Sequence, residues 1–415
     1  MPLAPSDSRC ELIVSGPMAT QCDVLVVGAG PGGGSAALHA ARAGLSVILI
    51  EDHAEIGTPV HCGECLSDEA VANLELDLPD SVISKRVDGI RVIFPDGTKK
   101  RLSEPGYVLE KHLFEQWIAE QAVSAGATLH LSHKLSSMER VESGNKFQGW
   151  LCEGKGDAFP IKTKIIIDAS GVAGVCSKLT GLNPRPQTIA GIQYEMLDVP
   201  TDDYLDFYIW PEFAKKGYLW MIPKCDGRAN VGLVSEDKKG IIKQLDAFVE
   251  KTHFYELDKS NPPWRDSSRS IRGFGGTIPI SGPHDKTYSD GLLLIGDAAG
   301  FTSPLFEGGS HLALKSAVFA ARTATRAISE GDYTAKNLGE YQAEWKKEFP
   351  PYDKILRGKT ALYSLTDEDM SLMGRCFPEE MSNMGPHGKI MVGLRLLFRK
   401  PSLYFRRIIP AMLAF

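Results

Sequence analysis

The sequence predicts an α/β protein. A Rossmann-like dinucleotide-binding domain is interrupted by an inserted antiparallel-sheet domain and followed by a C-terminal helical region. Three observations carry this expectation. Near the N-terminus an apolar run, a glycine turn and an alanine-rich helix follow one another in "CDVLVVGAGPGGGSAALHAARAGLSVILIED". Much later a second apolar run meets a glycine-aspartate turn in "GLLLIGDAAGFTSPLFEGGSHLALKSAVFAA". Between them "IQYEMLDVPTDDYLDFYIW" alternates aromatic and polar residues with the period of a sheet.

The first segment has the parts that a dinucleotide needs. A buried strand, Val24 to Val27, runs into Gly28-x-Gly30-x-x-Gly33, and a helix follows from about Ser35 to Ala43. Gly44 stops it, and a second strand, Ser46 to Ile50, ends at Glu51 and Asp52. Gly28 makes the tight turn, Gly30 lets backbone approach a pyrophosphate, and Gly33 lets helix and strand pack closely. The helix start offers free N–H groups and a positive dipole end to the phosphates. The acidic pair at the strand end is placed for the adenosine ribose.

The second segment resembles the "GD" segment of the FAD-dependent reductase and hydroxylase superfamily. The resemblance implies that Asp297 holds a ribitol hydroxyl of FAD and that the next helix faces the flavin. "KIIIDASGV" is a third matching piece, bringing Asp168 and Gly171 to the cofactor. FAD is therefore the expected cofactor.

Because these pieces lie near both ends, the expected FAD domain is discontinuous: 22–85 with 100–186 and 276–345. The second, substrate-binding sheet takes 86–99 with 187–275, including a Pro95-Asp96-Gly97 hairpin turn. Residues 346–415 form the helical region.

Length and composition agree with this reading. A chain of 415 residues, 24% charged and 43% hydrophobic, is too long for one simple core. No window approaches the roughly eighteen apolar residues of a membrane span. The stretch "MPLAPSDSRCELIVSGPMATQ" has neither a basic start nor a continuous apolar run, so residues 1–21 are expected as a disordered lead-in of a cytoplasmic protein.

Charge is unevenly placed. The net charge is −6, yet from Lys389 onward there are six basic residues and no acidic one, which leaves −12 on the rest. That acidic body excludes strong nucleic-acid binding. In the tail, Lys389, Arg395, Arg399, Lys400, Arg406 and Arg407 border an apolar face, the pattern of a segment lying on anionic lipid. Pro401 and Pro410 break it into short helices. The competing expectation is a helical cap packed on the FAD domain.

The eight cysteines form no disulfide framework pattern. Cys62 and Cys65, in "VHCGECLSDEA", lack a second close Cys or His pair, so no metal is expected. A flavin disulfide reductase would carry its cysteine pair here, but also a second glycine fingerprint after a strand, and none follows between residues 100 and 290. "EIGTPVHCGECLS" instead resembles the segment of the geranylgeranyl reductase family that carries a Cys-Gly-Glu triplet. The resemblance runs over roughly residues 22 to 345. It includes "YVLEKHLFEQWIAEQAVSAGA" and, most specifically, Tyr218-x-Trp220-x-x-Pro223 followed by Gly232.

The sequence departs from the family at several places. Ile222 and Val234 replace Phe and Gly, His61 replaces Arg, and Cys65 replaces Gly, so the paired cysteines are coincidental. Lys111 stands where a flavin-contacting Arg is common. Phe306-Glu307-Gly308-Gly309-Ser310 replaces a Thr-Gly-Gly-Gly-Ile run beside the flavin.

What the resemblance implies is saturation of isoprenoid double bonds in archaeal-type membrane glycerolipids. The alternatives are a quinone or chlorophyll side chain as substrate, or a flavin monooxygenase of the same superfamily. An unpolarised alkene needs a proton as well as a hydride from reduced flavin. Cys62, with Gly63, is the expected residue at the flavin face, shaping the pocket or relaying that proton. A thiol, with a reference pKa of about 8.5, cannot protonate an alkene unaided. Tyr218 and Trp220, with Pro223 and Gly232, are expected to line the hydrocarbon path, where aromatic faces favour cationic character.

Four assignments stay open. Glu64 orients Cys62 or is a solvated loop acid, and His61 is an exposed loop residue by default. Glu307 tunes the flavin or caps the next helix. Electrons come from NAD(P)H or from a ferredoxin-like carrier.

Overall fold

The computed structural model describes residues 19–252, 270–303, 305–382 and 384–401. The expected lead-in therefore lies mostly outside the described residues, but Thr20 and Gln21 already belong to the first strand, Thr20–Val27.

That strand is central because its apolar residues have neighbours on both sides and both faces. Val24, Leu25 and Val26 are wholly buried. It pairs in parallel with Val47–Ile50 and with Ile161–Asp168. Thr128–His130 and Leu292–Leu294 extend the parallel set at either end. A sheet covered on both faces reads as continuous apolar runs, as "VILI" and "LLL" do. The antiparallel pair Lys134–Ser143 and Lys146–Lys155 and the short Tyr288–Ser289 complete eight strands.

The first helix, Pro31–Arg42, packs between Lys111–Ser124 and the long helix Ser310–Glu330. It starts earlier than Ser35 because proline at the first helical positions forfeits only an N–H that would have no partner there. A Cβ on Gly33 would stand 1.7 Å from the Gly28 carbonyl oxygen, and one on Gly28 (φ +98°) would stand 2.6 Å from that of Ala169. These two glycines thus let helix, turn and neighbouring strand meet at backbone distance.

The second sheet has seven strands, in the order Ser270–Pro279, Thr188–Met196, Ala229–Ser235, Tyr218–Pro223, Tyr204–Tyr208, Gly89–Ile93 and Lys99–Leu102. Two corrections to the expected bounds follow. The early strands reach Leu102, and the last strand reaches Pro279. The sheet is also not purely antiparallel: Gly89–Ile93 runs parallel to Tyr204–Tyr208. The chain enters this sheet on two separate visits, so a strand of one visit can align with a strand of the other. The hairpin forms at Pro95-Asp96-Gly97, with Gly97 at φ +81° and the Phe94 N–H on the Thr98 carbonyl at 2.9 Å.

A small three-stranded sheet, Cys65–Ser67, Gly106–Leu109 and Ile83–Val87, contributes Val87, Val108 and Cys65 to a core shared with the second sheet. Helix Ala335–Glu348 buries Leu338, Tyr341 and Trp345 in the first core. The following helices, Tyr352–Leu362, Asp367–Cys376 and Pro386–Arg399, instead pack on Val92, Phe94 and Ile209 of the second sheet. The described part of the C-terminal region therefore caps the second sheet, not the nucleotide domain alone.

Gly33→Ala is expected to cost about 2 kcal/mol or more, the scale of overpacking in a tight core, read as a lower urea midpoint with flavin retention reduced in parallel.

Candidate active site

Where the two sheets face each other lies a cavity of about 640 Å³. One wall comes from the nucleotide domain. Gly30, Pro31 and Gly32 at the start of the first helix line it, as do Ala169, Gly171, Asp297, Gly308, Gly309 and Ser310. Both helix starts, at Gly30 and Gly309, lack a side-chain cap, and neither first turn carries an acid. Cβ atoms at Gly30 and Gly308 would meet nothing within 4 Å. Two uncapped N-termini opening onto one glycine-walled cavity match what a dinucleotide's anionic and electron-rich edges need. Asp297 accepts the Thr302 hydroxyl at 3.1 Å, and burial pushes its carboxyl up. Lys111 is buried in the same wall. Burial opposes its charge, but Glu115, with which it pairs, holds the ammonium above its ordinary range.

Other expected cofactor residues stand behind this wall. Gly28 and Gly33 make the backbone contacts described above. Glu51 is buried with Oε2 accepting the Ala29 N–H at 2.7 Å, which ties the second strand to the glycine turn. Asp52 is exposed and pairs with Lys134 at 3.1 Å and His53 at 3.2 Å. Asp168 is fully buried, its oxygens taken by the Ser170 N–H at 3.0 Å and the Cys176 N–H at 2.9 Å. It latches the turn that presents Ala169 and Gly171 and does not itself reach the cavity.

The opposite wall is aromatic. Phe207, Tyr218, Trp220 and Phe306 line it. Phe207 and Phe306 stack with centroids 4.9 Å apart, and Tyr218 meets both edge-on at 5.6 and 5.2 Å. Pro223 and Gly232 are not on the wall. Pro223 ends its strand beyond the cavity, and Gly232 makes room for Trp220, whose ring a Cβ there would meet at 2.5 Å.

Between the walls runs the Cys62 loop. Cys62 lines the cavity, with Sγ accepting the Glu64 N–H at 3.2 Å and lying 3.9 Å from the Ser310 hydroxyl. Its carbonyl accepts from Gln193, whose side-chain oxygen in turn accepts the Trp220 indole N–H, each at 2.9 Å. One glutamine therefore sets the distance between thiol and aromatic wall. Cys65 sits in its own strand, its thiol donating to the Gly63 carbonyl at 3.4 Å. Gly63 and the exposed His61 also line the cavity.

Glu64 is neither solvated nor a side-chain partner of Cys62. Its side chain is wholly buried on a left-handed backbone, φ +71°. Its carboxylate accepts the Lys111 N–H at 3.0 Å, Lys224 Nζ at 2.8 Å and Asn230 Nδ2 at 2.6 Å. Lys224 continues to Glu110 at 3.1 Å, and Arg228 joins Glu110 at 2.7 Å to Glu195 at 2.6 Å. Burial alone would raise the Glu110 carboxyl, but these bonds, that of Arg228 foremost, hold it at about 2. The signal was present in "KCDGRAN", which sets a lysine, an arginine and an asparagine at the junction of two apolar strands.

Comparison with known proteins decides the family. Residues 23–182 match the FAD dependent oxidoreductase family and residues 188–261 the geranylgeranyl reductase catalytic domain. The chain is 34% identical over 375 residues to digeranylgeranylglycerophospholipid reductase 1 of Methanothermobacter thermautotrophicus, covering 87% of this chain and 92% of that one. It is 32% identical over 399 residues to the digeranylgeranylglycerophospholipid reductase of Methanocaldococcus jannaschii, covering 93% and 98%.

The chain belongs to the geranylgeranyl reductase family.

As a member, it is an FAD-dependent oxidoreductase of geranylgeranyl reductase type. A solved geranylgeranyl bacteriochlorophyll reductase-like protein from Thermoplasma acidophilum superposes with a TM-score of 0.81 at 27% identity, covering 94% of this chain and all of that one. A flavin-dependent brominase shares the fold alone, with a TM-score of 0.68 at 18% identity, covering 95% of this chain and 94% of that one. The glycine-lined wall and uncapped helix starts of this geranylgeranyl reductase fit FAD.

Lys224→Met would leave the Glu64 carboxylate buried without its cation. It is expected to cost about 3–5 kcal/mol in urea unfolding, with Glu64→Gln in the same background recovering part of the loss.

Proposed function

We propose that this protein saturates the isoprenoid double bonds of geranylgeranyl chains in archaeal-type membrane glycerolipids. The observation that carries the reading is the aromatic wall of Phe207, Tyr218, Trp220 and Phe306, which faces the glycine wall across a cavity of about 640 Å³. FAD, when bound and reduced, supplies hydride at N5.

The chain's own residues do the rest. The uncapped helix starts at Gly30 and Gly309 orient the anionic and pyrimidine portions of the cofactor. The aromatic faces stabilise positive character on the carbon remote from the arriving proton. Gln193 holds Cys62 and Trp220 at a set separation, so the alkene is confined between thiol, ring and helix start. Excluding water from this volume protects both the reduced cofactor and a cation-like carbon. The electron donor we propose is NAD(P)H binding transiently or a ferredoxin-like carrier.

We further propose that the protein works as a peripheral protein at the cytoplasmic membrane face. No helix among the described residues is long and apolar enough to cross a bilayer. Helix Pro386–Arg399 buries Val392 and Leu396, yet leaves Ile390, Met391, Leu394 and Phe398 exposed on its other side, Phe398 at 82%. The basic border is thinner than the sequence implied. Arg395 donates to the Cys376 carbonyl at 3.2 Å and Lys400 pairs with Asp369 at 2.8 Å, while Arg406 and Arg407 lie outside the described residues. The exposed apolar ridge supports lipid contact more than the cations do.

Two outcomes are expected. Anaerobic protein reduced with dithionite and given digeranylgeranylglyceryl phospholipid gains a pair of hydrogens on the lipid for each double bond, with flavin reoxidising in step, as read by mass spectrometry and absorbance. Product only with a prenyl quinone or chlorophyll would overturn the glycerolipid assignment. Phe398→Glu is expected to reduce cosedimentation with anionic vesicles about tenfold, the effect of roughly 1.4 kcal/mol, without changing saturation of detergent-dispersed substrate.

A further inference from the structure

Alkene saturation needs an acid, and the loop before the long helix holds one in an unusual setting. Phe306 and Glu307 both take left-handed backbone, with φ of +61° and +45°. For residues with side chains each such conformation costs about 1–3 kcal/mol and persists only when surrounding contacts hold it. Here those contacts are visible. The Phe306 ring stacks on Phe207, and its carbonyl accepts the Tyr218 hydroxyl at 2.6 Å. Lys359, from the helix Tyr352–Leu362, reaches in to pair with Glu307 Oε1.

The consequence is a carboxyl turned inward. Glu307 is 8% exposed and lines the cavity between Phe306 and Gly308, beside the aromatic wall. Its second oxygen, Oε2, is buried and receives no well-formed hydrogen bond, because the nearby Tyr218 hydroxyl donates to the Phe306 carbonyl instead. A buried oxygen of an ionised carboxyl left without a donor is costly, and a proton on it removes that cost. Burial accordingly pushes the Glu307 carboxyl above the ordinary carboxylate range, against the pull of Lys359. The ionisable groups that face it are Lys359 and Tyr363 from the C-terminal helix and Tyr218 from the sheet.

We propose that Glu307 is the proton donor for double-bond saturation, with Lys359 holding the carboxylate that remains. This rests on the prenyl-reduction reading above. The π bond of the alkene breaks. One carbon forms a C–H bond with the proton leaving the Glu307 carboxyl, and the other would take the hydride that bound, reduced FAD supplies with its two electrons. The carboxylate left behind is neutralised by Lys359 and regains a proton from solvent before the next turnover. Cys62 is the rival acid, but a carboxylic acid is stronger than a thiol by about four pKa units in reference compounds.

Glu307→Gln keeps the size and the link to Lys359 and removes the acid. In the flavin-loaded full chain, single-turnover saturation of digeranylgeranylglyceryl phospholipid is expected to fall about 100-fold or more, the scale of lost general acid catalysis, with lipid affinity by fluorescence titration unchanged. Independently of turnover, infrared spectra across a pH titration are expected to show a protonated-carboxyl band that Glu307→Gln removes. If the uncompensated charge of Lys359 prevents folding, Glu307→Gln with Lys359→Met takes its place in both measurements. A variant that saturates lipid at the wild-type rate, or that retains every protonated-carboxyl band, overturns the donor role while leaving prenyl reduction standing. Wild-type protein that leaves the lipid unsaturated in the same assay overturns the reading of function, and the donor role with it.

Discussion

The buried carboxylate of Glu64 joins three parts of the molecule at one point. It sits on the cysteine loop, accepts an N–H from the helix that starts at Lys111, and takes two donors from the second sheet, Lys224 and Asn230. In a wholly buried position each of these bonds is strong, and none can be exchanged for water. Removing one partner would leave a charge that the interior cannot solvate. The relative position of nucleotide domain, cysteine loop and second sheet is set there.

From that junction the two walls of the cavity follow. The parallel sheet delivers the uncapped helix starts and glycine turns, and the second sheet delivers the aromatic rings. Gln193 then bridges the cysteine loop to Trp220 across the gap. The polar groups that hold the site together lie behind the loop, while the aromatic surface is left to face a hydrocarbon. Chemistry with a cation-like carbon benefits from this division, since fixed dipoles at the cavity edge need no reorganisation as charge develops.

One exposed feature remains outside this frame and relates to access. The apolar ridge of the helix Pro386–Arg399 is carried on the cap of the second sheet, and the helix carrying Lys359 belongs to the same cap. A lipid-facing element and the pair that holds Glu307 thus share one packing unit.

How much could be read from the residues alone follows from the range of the interactions. The glycine turn, its strand and helix, the FAD cofactor and the family were legible because each rests on contiguous residues with strong local preferences. Cys62, Tyr218, Trp220, Asp297, Gly308 and Gly309, expected at the site from the family resemblance of their motifs, line the cavity. Asp168 and Asp52 were legible as acids at strand ends, but the sequence cannot tell an oxygen aimed at a ligand from one taken by the next turn or by a surface lysine. Glu64, Glu110, Glu195, Lys224 and Arg228 are separated by up to 164 positions, and only folding brings their charges together. The sequence by itself determined the nucleotide fold, through short-range patterns of glycine and apolar residues, and pointed to the class of chemistry through motifs that resemble a known family. Tertiary structure alone decided which acids face the cavity, because burial and pairing of a charge depend on neighbours distant along the chain.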